Sequence, residues 1–288
     1  AVRRRFDGVT LDLVARSEAG PMAANWGLID TSFSPEQFGL HRLFGDDALP
    51  KTLVERLDGY DGVVNLLGGL DEAVSERLRQ ACAGAVFCVA PAPAPARGGM
   101  HIVDQWLATL ASQKLKLKSS EQALHTPDDQ ERLAGRVLLK QVAGQLVGRV
   151  MVCHPGSGGR AKCCPLDVLE QAINRQQEAG HTAFWMVGPT ELDWHGADYV
   201  RRLARSAPVL QDLSVSQAAG VLAGADVFVG NDAGMTHLAA SLGLPTVALF
   251  GPTDSAVWRP WGPRVRVLNF ARTAADKLIE EIAQTTRR

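Results

Sequence analysis

Short runs of β-branched and other apolar residues alternate along this chain with longer stretches whose apolar positions recur at helical spacing. That alternation predicts an α/β fold of parallel sheets joined by crossover helices. In the first half, strands are predicted at Val9–Val14, Leu28–Phe33, Gly62–Leu67 and Ala85–Val89. Helices are predicted at Glu18–Trp26, Asp71–Cys82 and His101–Ser112. The opening residues, Ala1–Phe6, read as the last turns of a helix, so the pattern starts inside a repeating βα unit. Pro91, Pro93 and Pro95 make a stiff loop after the fourth strand, because proline excludes helix there. A connector runs from Lys114 to Pro127. Within it, Lys114-Leu-Lys-Leu-Lys118 alternates and reads as a half-buried edge strand or a solvated stretch, with a basic patch near anionic lipid as the other reading. Asp128–Leu146 then reads as a helix.

The second half repeats the pattern more cleanly. Strands are predicted at Arg149–His154, Thr182–Val187, Asp226–Gly230, Thr246–Phe250 and Val265–Leu268. Helices are predicted at Pro165–Glu178, Ala197–Arg205, Val215–Leu222, Met235–Leu242 and Thr273–Ile282, with a basic tail to Arg288. Pro165 suits a first helical position, where its missing N–H has no partner to lose. The expectation is two Rossmann-like domains, 1–147 with the connector and 148–288. Ligands of such sheets bind beyond the carboxyl ends of the strands, so the strand-to-helix loops are the functional candidates.

Composition narrows the classes. The 288 residues suit one large or two medium domains. Thirty basic residues face thirty-one acidic ones, which argues against a nucleic-acid binder. Apolar runs are strand-sized, too short to span a bilayer, and nothing at the front reads as a signal peptide. The cysteines, Cys82, Cys88, Cys153, Cys163 and Cys164, are odd in number and irregular in spacing. A disulfide framework is therefore not expected, and a cytoplasmic setting is.

Three loops carry chemistry. The first is His154-Pro-Gly-Ser-Gly-Gly-Arg-Ala-Lys-Cys-Cys-Pro165. Its glycines let the backbone approach an anion, and the following helix start offers free N–H groups. Ser157 adds a hydroxyl and Lys162 a charge for a phosphate. Two rivals share these residues. The P-loop pattern G-x-x-x-x-G-K-[ST] fails at Ala161 and Cys163, and the dinucleotide fingerprint Gly156-x-Gly158-x-x-Ala161 lacks its acidic residue after the next strand. A zinc site is not expected either, because adjacent cysteines chelate one metal poorly; the thiols read as small buried hydrophobes.

The second loop is Gly188-Pro-Thr-Glu191. Glu191 either accepts hydrogen bonds from ribose hydroxyls or supports a helix start by its charge. The third is Gly230-Asn-Asp-Ala-Gly-Met-Thr-His237. Asp232 suits a helix cap, the Gly234 N–H lies open to a phosphate, and His237 can donate to a diphosphate; a capped helix with a core histidine is the plainer alternative. All three loops fall on the carboxyl edge of one sheet.

At these residues the chain resembles glycosyltransferase family nine, the ADP-heptose:lipopolysaccharide heptosyltransferases. HPGSGGRAKCCP is similar to the family's H-P-G-S-G…K-x-W-P loop. VFVGNDAGMTHLAASLGLPTVALFGPTD is similar to its N-D-[ST]-G-x-x-H-L-A-A…G-P-T-D block, and His101-Ile-Val-Asp104 resembles a family helix. The likeness is strongest from Val150 to Leu268. It implies a GT-B fold, an acceptor-side N-terminal domain and a nucleotide-sugar-binding C-terminal one, with no cofactor and no metal. It implies inverting transfer of a heptose from ADP-heptose to a lipopolysaccharide-core or related glycan. The acceptor would be lipid-linked, at the cytoplasmic face of the inner membrane, with peripheral membrane contact.

By the same resemblance Ser157 and Lys162 contact the diphosphate, Glu191 the ribose or base, and Leu213 the adenine. Asp232 takes sugar hydroxyls, and the Gly234 amide and His237 the diphosphate. Two positions depart from the pattern: Cys164 replaces a tryptophan, and Ala233 a serine or threonine that belongs to the donor site. Family members open with a strand, a glycine-Asp loop and a helix ending like Arg3-Arg4-Arg5-Phe6. The segment that would precede Ala1 is roughly twenty residues long. The general-base aspartate is expected in it, and no residue of this chain takes that role. The alternative is a non-catalytic nucleotide-sugar-binding remnant; a P-loop NTPase is a weaker third reading.

Overall fold

A computed structural model describes residues 1–16, 18–67, 71–94, 98–120 and 122–287, with the backbone alone at 197, 286 and 287. Pro95 of the predicted proline loop, residue 121 of the connector and Arg288 of the tail lie outside the described residues. The chain divides into two compact units, Ala1–Ser120 and Glu121–Arg288.

The first unit runs α1 (Val2–Arg5), β1 (Asp12–Val14), α2 (Ala19–Asn25), β2 (Thr31–Phe33), α3 (Pro35–Phe38), a 3₁₀ turn (Leu40–Phe44) and α4 (Lys51–Asp58). It continues with β3 (Gly62–Asn65), α5 (Glu72–Ala81), β4 (Ala85–Cys88) and α6 (Ile102–Ser112). Among the described residues its strands form two parallel pairs, β1 with β2 and β3 with β4. One core serves both: Phe38, Leu53, Leu57, Val74 and Leu78 pack with Val14, Phe33, Val63 and Val86 from the strands. Helices α3 and α4 are additions to the predicted set. Helix α3 starts from a Ser34–Gln37 capping box with Pro35 at its first position, so its start satisfies backbone N–H groups that have no helical partner. Of the two plain readings of Lys114–Lys118, the edge strand does not form; the backbone is irregular and the three lysines are exposed, as a solvated stretch would have them.

The second unit opens with α7 (Asp129–Ala143), β5 (Val150–His154), a 3₁₀ turn (Arg160–Lys162) and α8 (Leu166–Glu178). Then come β6 (Thr182–Met186), α9 (Pro189–His195), α10 (Ala197–Leu203), β7 (Val209–Leu210) and α11 (Val215–Ala223). The remainder is β8 (Val227–Asn231), α12 (Gly234–Ser241), β9 (Thr246–Phe250), α13 (Ser255–Trp258), β10 (Val265–Asn269) and α14 (Ala275–Arg287). Its strands make one six-stranded parallel sheet in the order β10-β9-β8-β5-β6-β7. The first strand, β5, lies inside the sheet, with later strands added first on one side and then on the other. The sheet therefore reverses its winding between β5 and β8, the switch point at which a crevice opens beyond the carboxyl ends of the strands. Met151, Cys153, Trp185, Val229 and Leu249 point to one face and pack with Leu169, Ile173, Leu203 and Ile279. Their neighbours Val152, Phe184, Phe228 and Phe250 point to the other and are equally buried.

The two units divide at residues 120 and 121, not at 147 and 148. Helix α7 and the residues before it belong to the second unit. Gly135 of α7 lies so close to α11 that a Cβ there would collide with the Gly220 and Gly224 backbone. Arg136 pairs with Asp226 at 2.8 Å, and the Leu124 and His125 N–H groups donate to the Ser241 carbonyl.

Candidate functional site

Two loops meet over the switch point. Strand β5 ends at His154, whose buried ring donates from Nδ1 to the Met186 carbonyl at 2.9 Å. The backbone then turns through Pro155–Gly159. Strand β8 ends at Asn231, which is fully buried. Its side chain stitches the loops together: Oδ1 accepts from the Cys164 N–H at 2.9 Å, and Nδ2 donates to the carbonyls of Pro155 (2.7 Å) and Gly156 (3.3 Å). A second stitch runs from the Ser157 hydroxyl to the Asp232 carbonyl at 2.6 Å. Ser157 is 3% exposed and its one hydroxyl hydrogen is engaged there.

Lys162 and Asp232 make a third link, Nζ to Oδ2 at 2.8 Å. The ammonium is 41% exposed and the carboxylate 9%. Asp232 therefore does not cap α12 as its position suggested. Ala233 is the N-cap, and no side chain caps the helix. The cation across the crevice holds the carboxylate instead, a stronger partner than a neutral N–H. A Cβ built on Gly158, Gly159 or Gly234 meets nothing within 4 Å, so backbone borders open space on both sides of the crevice. His237, one turn into α12, is exposed rather than part of the core.

Glu191 is not in a loop. It is the third residue of α9, with Pro189 at the first position. Its Oε2 accepts from the Gly188 N–H at 2.7 Å, half of a capping box, since glycine has no side chain to return the bond. The carboxylate is 3% exposed and packed so tightly on Gly156 that a Cβ there would strike it. Of the two readings of this residue, the helix-start role is seen directly. Leu213 sits between β7 and α11, half-buried, beside Asp212 in the left-handed region (φ 56°). The structure thus brings Ser157, Lys162, Asp232, Ala233 and Gly234 to one crevice, packs Glu191 of α9 against Gly156 of its first loop, and leaves Leu213 on the connection between β7 and α11.

Beneath the first loop lies a cavity of about 260 Å³ lined by Gly156, Cys164, Glu191, Trp194, Tyr199 and Arg202. Cys164 borders it where the sequence pattern anticipates a tryptophan. Burial, with the Asp167 charge nearby, pushes its thiol up to about 12. Burial also raises the thiols of Cys153 and Cys163. All stay protonated near neutral pH, which removes them as nucleophiles. Asn231 is the residue that sequence reasoning passed over. Its signal was an amide between a strand end and an aspartate, visible in Gly230-Asn-Asp232 but without its partners.

A parallel sheet with a crevice at its carboxyl edge is the binding architecture of doubly wound α/β folds. The family model for glycosyltransferase family 9 (heptosyltransferase) matches residues 74–284, and the chain belongs to that family. Among curated proteins it is similar to lipopolysaccharide heptosyltransferase 3 of Escherichia coli K12, 27% identical over 114 residues, covering 38% of this chain and 33% of that protein. It is also similar to lipopolysaccharide heptosyltransferase 1 of Pseudomonas aeruginosa, 42% identical over 77 residues, covering 25% of this chain and 22% of that protein. These alignments span about a third or less of the relatives' length. Among solved structures, E. coli heptosyltransferase WaaC with ADP superposes with a TM-score of 0.67 at 18% identity, over 99% of this chain and 92% of that one. At that identity the likeness shows the GT-B fold.

Proposed function

We propose that this protein binds a nucleoside-diphosphate sugar in the crevice between β5 and β8 and serves inverting sugar transfer. The donor is ADP-heptose, and the acceptor is a hydroxyl of a lipopolysaccharide-core or related lipid-linked glycan. The observation that carries this reading is the convergence of Lys162, Asp232 and the uncapped start of α12 at the switch point. In it, Lys162, the Gly234 N–H and His237 face the diphosphate, with Ser157 holding the loop that presents them. The charge that develops on the leaving diphosphate meets a cation and the positive end of a helix, the arrangement that stabilises departure. Asp232 accepts from donor-sugar hydroxyls, beside Ala233, which adds none of its own. Glu191 contacts the ribose and Leu213 borders the adenine. The group that deprotonates the acceptor is assigned to no residue of this chain. The first unit takes the acceptor side. Contact with the cytoplasmic face of the inner membrane is peripheral in this reading; among the described residues no helix is long and apolar enough to cross a membrane.

Titrating ADP calorimetrically against wild type and Lys162→Ala tests the site. Wild type binds, and the variant loses about tenfold in affinity or more, the scale of one charge-assisted contact. Absence of ADP binding by wild type, or an unchanged variant, overturns the reading. Binding without transfer of heptose to any lipopolysaccharide-core acceptor favours the non-catalytic remnant.

A further inference from the structure

The Lys162–Asp232 ion pair spans the crevice that the proposed donor must enter. We propose that it is a latch that discriminates intact sugar donor from spent nucleoside diphosphate; this rests on the donor-site reading above. The argument begins with charge. The ammonium that would serve the diphosphate is held at 2.8 Å by Asp232 Oδ2. A diphosphate can recruit Lys162 only by drawing it away from that carboxylate. Asp232 is 9% exposed, so water compensates it poorly once the cation leaves.

The two ligands differ in what they give back. A nucleotide sugar brings hydroxyl donors to the carboxylate as its diphosphate takes the lysine, and both charged groups end paired. A nucleoside diphosphate alone takes the lysine and offers Asp232 only further negative charge. Intact donor therefore opens the latch at little net loss, whereas the product competes against it. Once the sugar has left, Asp232 recaptures Lys162 and weakens the hold on the diphosphate. Two fixed features keep Asp232 in place for this. The Ser157 hydroxyl donates to its carbonyl at 2.6 Å, and its N–H donates to the Leu249 carbonyl at 3.1 Å. The backbone that carries the carboxylate is thereby fixed on the crevice wall, close to where the lysine returns. Ala233, the N-cap, has no side-chain hydroxyl to replace the lost cation.

The latch makes a prediction opposite to that of a simple binding residue. Asp232→Asn removes the competing charge and keeps the shape, so ADP binds about tenfold tighter than to wild type, the scale of one released ion pair. ADP-heptose does not gain equally, because its hydroxyls lose a charged acceptor. In a Lys162→Ala background the Asp232→Asn gain for ADP shrinks, because no ion pair is left to release and only the like-charge repulsion is relieved. All four proteins are titrated with ADP and with ADP-heptose. Asp232→Ser, small and uncharged, repeats the measurement should the asparagine variant not fold. Equal or weaker ADP binding by the neutral variants, or a gain undiminished in the Lys162→Ala background, overturns the latch while leaving the donor site standing. Wild type that binds neither ligand overturns the donor site, and the latch with it.

Discussion

The two units solve the same problem with unequal completeness. In the second, β5, β8 and β9 are buried at every position, because six strands make one sheet with side chains packed on both faces. In the first, β1 and β2 hold no fully buried residue and β3 holds one. Val63 reaches the core there, while Val64, its neighbour on the opposite face, is 39% exposed. Two-stranded sheets leave an open edge on every strand and are marginal alone. In the second unit a rigid, doubly covered sheet holds the crevice loops to fixed positions. The first unit rests on short, part-buried strand pairs and on side-chain bridges, of which Tyr60 to Asp12 at 2.7 Å links the two pairs. Precision of a site follows from how completely its scaffold is packed.

Substitutions can break that contrast, beginning with the largest effect. Asn231→Leu leaves the Cys164 N–H and the Pro155 and Gly156 carbonyls without their partner in a fully buried place. It should destabilise the second unit by about 4 kcal/mol, taking on the order of 1–3 kcal/mol for each orphaned group with partial relief. Urea unfolding measures this. A loss under 1 kcal/mol would mean the crevice loops do not depend on the stitch.

Gly135→Ala comes next, because the new methyl meets backbone that cannot step aside. About 2 kcal/mol is expected from overpacking, with faster hydrogen exchange in α7 and α11. Unchanged exchange in α11 would show that α7 does not belong to the second unit's fold.

The smallest effect concerns the first unit. Tyr60→Phe removes its bridge and should cost about 1 kcal/mol. Tyr60 also titrates late: burial first, then its hydrogen bond to Asp12, pushes it from 10.0 up to about 12. The folded chain holds this proton more tightly than the unfolded one. Its contribution is therefore complete below pH 10 and lost as pH rises towards about 12. Stability of wild type and Tyr60→Phe compared across that window should converge at the alkaline end; a constant gap would break the assignment.

Much of the second unit was legible because its strands are continuous apolar runs bounded by glycine and proline. Thr246–Phe250 matches its predicted span, β5, β6 and β10 differ by one residue at one end, and β8 by one residue at each end. Helix α9 was half legible: a helix start was one of two readings of Glu191, and the bond it accepts from the Gly188 N–H realises it. Lys114–Lys118 shows the reverse failure. Its alternation satisfies the strand pattern, yet among the described residues no strand pairs with it, and strands without partners do not persist. The candidate site divides the same way. Ser157, Lys162, Asp232 and Gly234 were legible as residue types in loops, whereas the role of Asn231 depends on three backbone groups far away in sequence.

The sequence by itself determined the α/β class, the family and the loops that carry charge, because each is written in local periodicity or in contiguous motifs. The structure decided that the units part before α7, that Asp232 answers to Lys162 rather than capping a helix, and that Glu191 is engaged at the start of α9. Those outcomes are competitions between partners some 3 to 75 residues apart. A residue's chemistry states what it can bind, and only the fold states which partner arrives first and at what distance.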